Sequence, residues 1–253
     1  MLTVLQVPTM RDNYVYLAHD PATGHTAIVD PGVEEAVVAA LEAQGWTPTH
    51  ILNTHHHYDH TDANLALKER YGLTVIGAAH DAERIPGIDV RVSDGDTVSI
   101  GNASLQVIDV PGHTRGHIAY YARESGLLFC GDTLFALGCG RMFEGNKEDM
   151  WASMEKLRAL PDDTRVCCAH EYTLANAAFA LSIDPDNNAL KARVAEFQAL
   201  RDKGQPTVPS VLGAEKAPNP FLRAEEAALA SQLGMAGKPA SDVFGEIRAR
   251  KDT

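Results

Sequence analysis

Basic residues are in short supply: 22 Lys and Arg against 34 Asp and Glu leave a net charge of −12. A surface of that sign disfavours phosphate backbones and anionic membranes as partners, while still permitting a local basic pocket for an anionic small molecule. Cysteine is just as sparse, with four among 253 residues: Cys130, Cys139, Cys167 and Cys168. None sits in a CxxC pair, so they read as buried thiols of a protein in the reducing cytoplasm, with export disfavoured. No apolar run approaches the length of a membrane span. The stretch Met1-Leu2-Thr3-Val4-Leu5-Gln6-Val7-Pro8 lacks a basic n-region and a long apolar core, and reads as a strand rather than a signal peptide. The Pro-rich stretch Gln205–Pro220 carries neither repeats nor low complexity. What remains is an ordinary globular balance, 45% hydrophobic and 22% charged, in a chain long enough for one large domain or two small ones.

Against that background one stretch stands out, Thr54-His55-His56-His57-Tyr58-Asp59-His60, at the end of the apolar run His50-Ile51-Leu52-Asn53. His55 and His57 are two apart at a strand exit, where alternate side chains share a face. Asp59 and His60 follow where the chain turns, and aim from another angle. Imidazole and carboxylate suit zinc, iron or manganese. One histidine here would be a solvated loop residue, and His56, turned away by the alternation, is given that reading. Four ligand-type residues within six positions point instead to a metal site, and to two ions rather than one.

Such a site needs partners, and strand ends supply them. Strands are expected over Leu2–Val7, Tyr14–Ala18 and Thr26–Val29, the last closing at Asp30, which either supports the metal site or only forms its turn. An amphipathic helix over Glu34–Gln44, a helix over Ala63–Tyr71 and a strand over Thr74–Gly77 follow. From Arg91 to Val110 the pattern is β-rich, with hairpins expected at Asp94-Gly95 and Gly101-Asn102, ending in Pro111-Gly112-His113. His117, which begins the next strand, is assigned to structure. Ile118–Tyr121 and Leu127–Cys130 should pair around Glu124-Ser125-Gly126 and deliver Asp132. The loop Leu137–Gly145 is glycine-rich but lacks the Gly-Lys-Ser/Thr of a phosphate loop. Asn146 should cap a helix to Leu160 whose Met150, Met154 and Leu157 are core, and the strand Arg165–Cys168 delivers His170. Beyond it come four helices, Leu174–Ser182, Asn187–Lys203, Glu225–Leu233 and Ser241–Lys251, with a Pro-rich connection over Gln205–Pro220. A domain boundary is therefore placed near His170.

With the histidine motif, Pro111-Gly112-His113, Gly131-Asp132 and His170 in this order, the chain resembles the metallo-β-lactamase superfamily over essentially its whole length. Within it the match is to the glyoxalase II (hydroxyacylglutathione hydrolase) family, on Gly131-Asp132-Thr133-Leu134-Phe135, Gly138-Cys139-Gly140-Arg141, Ala169-His170-Glu171-Tyr172-Thr173 and Asn219-Pro220-Phe221-Leu222-Arg223. The resemblance implies an α/β fold, a four-layer αββα sandwich over residues 1–170, with a small all-helical domain over 171–253 that binds glutathione. It implies two divalent ions per chain, zinc foremost with iron or manganese as alternatives. One would take His55, His57 and His113, the other Asp59, His60 and His170, with Asp132 bridging. It further implies that Arg248 and Lys251, three apart on one helix face, meet the glycyl carboxylate with Arg141, and that Tyr172 also contacts glutathione. Three positions depart from the family pattern: Phe143 replaces a common tyrosine, Arg141 a more usual lysine, and Thr61-Asp62-Ala63 stands where small glycines are common.

The chemistry implied is hydrolysis of S-D-lactoylglutathione to glutathione and D-lactate by a hydroxide bridging the metals, the second step of methylglyoxal detoxification. Asp132 and Asp59 would be its catalytic carboxylates, Asp59 by accepting the water proton. No nucleophilic side chain is needed, and no Gly-x-Ser-x-Gly offers one. Rival readings are a glutathione persulfide dioxygenase with one iron, another hydrolase of this fold such as a lactonase, β-lactamase or tRNA-processing nuclease, and a non-catalytic metal- or glutathione-binding module. Monomer is the family-based default.

Overall fold

Alternation decides how the first strands are used. β1 (Thr3–Thr9) and β2 (Asn13–His19) form an antiparallel hairpin, Thr3 opposite His19 and Thr9 opposite Asn13, and β3 (Thr26–Val29) adds to it antiparallel. Val15 and Leu17 of β2 point to one face and Tyr16 to the other, as a two-residue period requires. After β3 the pairing turns parallel. α1 (Glu34–Gln44) leads to β4 (His50–Leu52), then α2 (Tyr58–Thr61) and α3 (Asn64–Tyr71) lead to β5 (Thr74–Ala78), and β6 (Val90–Val92) closes the sheet. The six strands run in sequence order. α1 stops where Gly45 takes a left-handed φ of 66°, with Gly45 N–H on Glu42 O and Trp46 N–H on Leu41 O.

α1 and α3 cover one face. Val37, Leu41 and Leu67 pack with Val15, Leu17, Ile28, Ile51 and Val75, and each fully buried Leu or Ile there contributes about 1.5–3 kcal/mol. The other face meets a second, antiparallel sheet of β7 (Thr97–Ile100), β8 (Ala103–Asp109), β9 (Ile118–Ala122) and β10 (Leu127–Gly131). Tyr16 and Phe129 touch across the gap with ring centroids 5.9 Å apart. The hairpins at Gly101-Asn102 and Glu124-Ser125-Gly126 form as expected. Asp94-Gly95 does not make one. β6 pairs with β5 and β7 with β8, so this turn carries the chain between sheets. Its polar groups are satisfied on β8 instead, with Asp109 N–H donating to Asp94 Oδ1 at 2.7 Å and Gly95 N–H to Val107 O at 3.0 Å.

The computed structural model describes residues 1–253, which fall into two compact units. The strands and helices above lie in the first, Met1–Asp109 with Gly116–Gly131; Val110–Arg115 and Asp132–Thr253 form the second. The second unit holds a small hairpin, β11 (Leu134–Phe135) with β12 (Gly138–Cys139), then α4 (Lys147–Arg158) and β13 (Arg165–Cys168). Asn146 and Asp149 cap α4 reciprocally at 2.8 and 3.2 Å, and Met150, Met154 and Leu157 are buried as its core face. Past His170 the chain is mainly helical: α5 (Thr173–Ile183), α6 (Asn188–Arg201), α7 (Leu212–Lys216), α8 (Ala227–Gln232) and α9 (Ala240–Asp252). The stretch 205–220, expected as a plain connection, is structured: β14 (Ser210–Val211) pairs antiparallel with β13 and runs straight into α7. A two-residue strand shows no period, which is why it is illegible in sequence. No helix is long and apolar enough to cross a membrane.

Candidate metal centre

β4 lies between β3 and β5 in parallel register, so Asp30 after β3 and Thr54-His55 after β4 emerge at the same sheet edge. Asp30, at a left-handed φ of 55°, collects three donors. Thr54 N–H and Thr54 Oγ1–H donate to it, each at 2.7 Å, and His60 Nδ1–H at 3.2 Å. The Thr54 hydroxyl in turn accepts from His55 Nδ1–H at 3.1 Å. Both histidines thereby keep Nε2 as the lone-pair nitrogen, the usual way an outer partner orients a ligating imidazole. Asp30, His55 and His60 have ligand atoms within 4.8 Å of one another, but the Asp30 carboxylate is committed to this scaffold.

The rest of the loop is fixed as firmly. Asn53 donates to His60 O at 2.9 Å and accepts from Asn64 Nδ2 at 2.7 Å, while Tyr120 donates to Asn53 O at 3.1 Å. Gly32 is required here, because a Cβ would come within 2.1 Å of Asp59 O. His117 is structural as read, stacked on His55 at 4.6 Å. His56 is not solvated. Its Nδ1–H donates to the buried Asp81 at 2.9 Å, beside Arg84 at 2.5 Å and His80 at 2.9 Å. Burial opposes the Asp81 charge, but these hydrogen bonds outweigh it and hold the carboxyl below its usual range. The alternation did turn His56 from its neighbours, towards a partner that lies 25 residues away in sequence and leaves no local signal. Asp62 is exposed.

The second unit presents its own set. His113 follows the Val110–Gly112 loop, Asp132 follows Gly131, and His170 follows β13. The two oxygens of the Asp132 carboxylate serve different histidines: Oδ2 lies 3.5 Å from His113 Nε2 and Oδ1 3.3 Å from His170 Nε2. His113 Nδ1–H donates to Arg141 O at 2.8 Å, again leaving Nε2 for ligation. Gly140 is a second position where only glycine fits, since a Cβ would meet Asp132 O at 1.9 Å. His170 stacks on Tyr172 at 4.6 Å with the rings 3° from parallel.

These separations test whether the residues fit metal ions. Two donors on one tetrahedral ion at about 2.0–2.1 Å stand roughly 3.3–3.4 Å apart. His55 Nε2 and His57 Nδ1 are 3.1 Å apart, and His60 Nε2 and Asp59 Oδ2 3.4 Å. With the two Asp132 pairs, four donor pairs fall between 3.1 and 3.5 Å. The donors fit. Clustered His and Asp groups of this kind are typical of a binuclear site. Asn13, which the sequence reading passed over, donates to Asp59 Oδ2 at 2.9 Å; an Asn in a strand 46 residues upstream carries no motif.

The expected glutathione contacts also occupy the second unit. Arg248 is no solvated terminal residue: it is 4% exposed, donates to Cys139 O at 3.1 Å and Asp252 at 3.0 Å, and lies 5.4 Å from the centre of the Phe221 ring. Lys251 donates to Asn176 Oδ1 and sits over Phe179 and Phe221. Burial pulls its amine down to about 8. Arg141 pairs with Asp252 at 3.0 Å. Phe143 is 60% exposed, edge-on to His113 at 5.2 Å, and Tyr172 is 38% exposed. The four cysteines are buried, as expected, and none forms a disulfide. Burial pushes the Cys139 thiol up to about 11 and Cys167 higher still, so neither is an activated nucleophile.

Comparison with known proteins bears on both parts of the chain. The family model for the metallo-β-lactamase superfamily matches residues 9–170, and the model for the hydroxyacylglutathione hydrolase C-terminus matches residues 171–253. A hydroxyacylglutathione hydrolase of Methylococcus capsulatus is 57% identical over 252 residues, covering 100% of this chain and 98% of that protein. One from Rhodospirillum rubrum is 55% identical over 251 residues, covering 99% and 98%. Among solved structures, ETHE1 from Myxococcus xanthus superposes with a TM-score of 0.71 at 28% identity, covering 100% of this chain and 92% of that one.

Proposed function

The chain belongs to the hydroxyacylglutathione hydrolases of the metallo-β-lactamase superfamily, and we infer from that membership that it hydrolyses a glutathione thioester, the glyoxalase II step of methylglyoxal detoxification. The fold is accordingly the metallo-β-lactamase fold with a helical C-terminal region. Residues 1–170 are assigned to catalysis and 171–253 to glutathione, a division supported by the point at which the two family models part.

The proposed centre holds two ions, zinc in preference to iron or manganese. One would take His55, His57 and His113, the other Asp59, His60 and His170, as membership of the family implies. Asp132 belongs to both. The single observation that carries this reading is the Asp132 carboxylate, one oxygen facing His113 and the other His170. When bound, such ions lower the pKa of a coordinated water and polarise the thioester carbonyl.

The chain's own residues do the rest. Asp30, Thr54 and the Arg141 carbonyl fix the imidazole tautomers, and Asp59, steadied by Asn13, takes the proton of the attacking water. Water oxygen bonds to the acyl carbon, the C–S bond breaks, and the glutathione sulfur leaves as a thiolate. With a thiol pKa of about 8.5 it needs no dedicated acid. Arg248, Lys251 and Arg141 receive the glycyl carboxylate, Tyr172 packs against the peptide, and Phe143 offers a ring without a hydroxyl. D-lactate is the proposed acyl product, and the chain works as a monomer in the cytoplasm.

The test compares S-D-lactoylglutathione with the same acyl group on a minimal thiol, using metal-loaded protein. A large preference in kcat/KM for the glutathione ester, lost in the double variant Arg248→Ala/Lys251→Ala, is expected. Equal activity on both esters would remove the glutathione assignment.

A further inference from the structure

Residues 171–253 also grip something other than glutathione. Four of their side chains close on five consecutive residues of the β11–β12 hairpin. Asn219 Nδ2 donates to Phe135 O at 3.2 Å and Gly138 O at 3.0 Å. Asn176 Nδ2 donates to Ala136 O at 3.0 Å, and Arg248 Nη1 to Cys139 O at 3.1 Å. Leu137 N–H donates to Glu215 Oε2 at 2.8 Å. All four side chains are buried, Asn219 and Glu215 completely.

A hairpin of two-residue strands has few ladder bonds of its own, and its turn passes through Leu137 at a left-handed φ of 55°. Buried backbone groups left unpaired there would each cost about 1–3 kcal/mol, so the imported side chains decide where the hairpin sits. Its two ends lead to the ligands. Asp132 stands just before it, tied through Gly140 N–H on Thr133 O at 3.1 Å. Arg141 stands just after it, and its carbonyl orients His113. The contact of Gly140 with Asp132 O leaves no slack between them.

We propose that Asn219, with Asn176, Glu215 and Arg248, forms a clamp whose function is to position Asp132 and His113 for metal binding. The helical region thus builds the metal centre as well as holding the thiol, a proposal that rests on the assignment of Asp132 and His113 as ligands. It gives the Asn219-Pro220-Phe221 motif a role. Asn219 Oδ1 accepts from Phe221 N–H at 3.0 Å, which orients the amide so that both its hydrogens reach the hairpin. Asn219 is a positioning residue; it touches no reacting atom.

The test is Asn219→Asp, which keeps the acceptor for Phe221 N–H and takes away the amide donors. Zinc affinity is read by chelator competition, with thermal unfolding and steady-state kinetics alongside. Affinity should fall about 10–100-fold, as when other outer partners of ligands are removed, and activity at limiting zinc should fall through kcat rather than KM. Where that variant does not fold, Asn219→Ser carries the same expectation. Wild-type zinc affinity in a folded Asn219 variant, with only a lower Tm, would overturn the clamp. Asp132→Ala separates the two ideas: zinc retained there removes the ligand assignment, whereas zinc lost there but retained in both Asn219 variants removes the clamp alone.

Discussion

The two units furnish their proposed ligands in opposite ways. In the first, His55, His57, Asp59 and His60 come from six consecutive positions, and one buried carboxylate, Asp30, orients the loop. In the second, His113, Asp132 and His170 are spread over 58 positions (113 to 170). There the orientation comes from backbone and amide groups, the Arg141 carbonyl and the hairpin held by Asn219. A contiguous loop can be set by a single charge; dispersed ligands need a scaffold.

The contrast can be broken most severely at Asp30. In Asp30→Asn the amide N–H₂ must face either the Thr54 backbone N–H, where Oδ1 stood, or the Thr54 hydroxyl and His60 Nδ1–H together, where Oδ2 stood, so either the loop backbone or a ligand tautomer loses its acceptor. Zinc affinity should drop about 10–100-fold in chelator competition. Affinity within twofold of wild type would mean that the loop orients itself.

Lys251 offers a smaller, pH-dependent effect. Burial holds its amine at about 8 against an ordinary 10.5. The charged form that meets a substrate carboxylate is lost as pH climbs through 8, so KM for the glutathione ester should rise above pH 8. Lys251→Arg should stay flat over the same range. Stability moves the other way. The unfolded chain binds the extra proton between pH 8 and 10.5, so this group favours the fold increasingly as pH rises across that window. A KM profile identical in both proteins would detach Lys251 from the substrate.

The smallest effect is expected at Phe143. Its ring is exposed beside His113 and Arg141, and Phe143→Tyr restores a hydroxyl there. One added hydrogen bond is worth about 0.5–1.5 kcal/mol, a fall in KM of about 2–10-fold in steady-state assays. An unchanged KM would mean that the thiol does not reach this ring.

The same contrast explains what was legible. Strands that end in His55, His113, Asp132 and His170 announce themselves, because a two-residue period followed by ligand-type residues is a local pattern. So do α1 and the Asn146 cap of α4. The partners of those ligands are not local. Asn13 reaches Asp59, Asp81 captures His56, and Asn219 holds a hairpin more than 80 residues upstream. Asp94-Gly95 misled for a related reason, since a glycine turn is the same whether the chain returns to its own sheet or crosses to another. Burial of Arg248 and Lys251 escaped the helix pattern as well, because a basic pair in a last turn ordinarily faces water.

The measurement closest to the central claim is a zinc titration of metal-free protein, followed by metal analysis, for the wild type and Asp132→Ala. Asp132 faces His113 with one oxygen and His170 with the other, so two ions per chain should bind in the wild type. In Asp132→Ala both should weaken together, and thioester hydrolysis should fall to background. One ion per chain in the wild type, or two ions bound with full affinity in Asp132→Ala, would contradict the account.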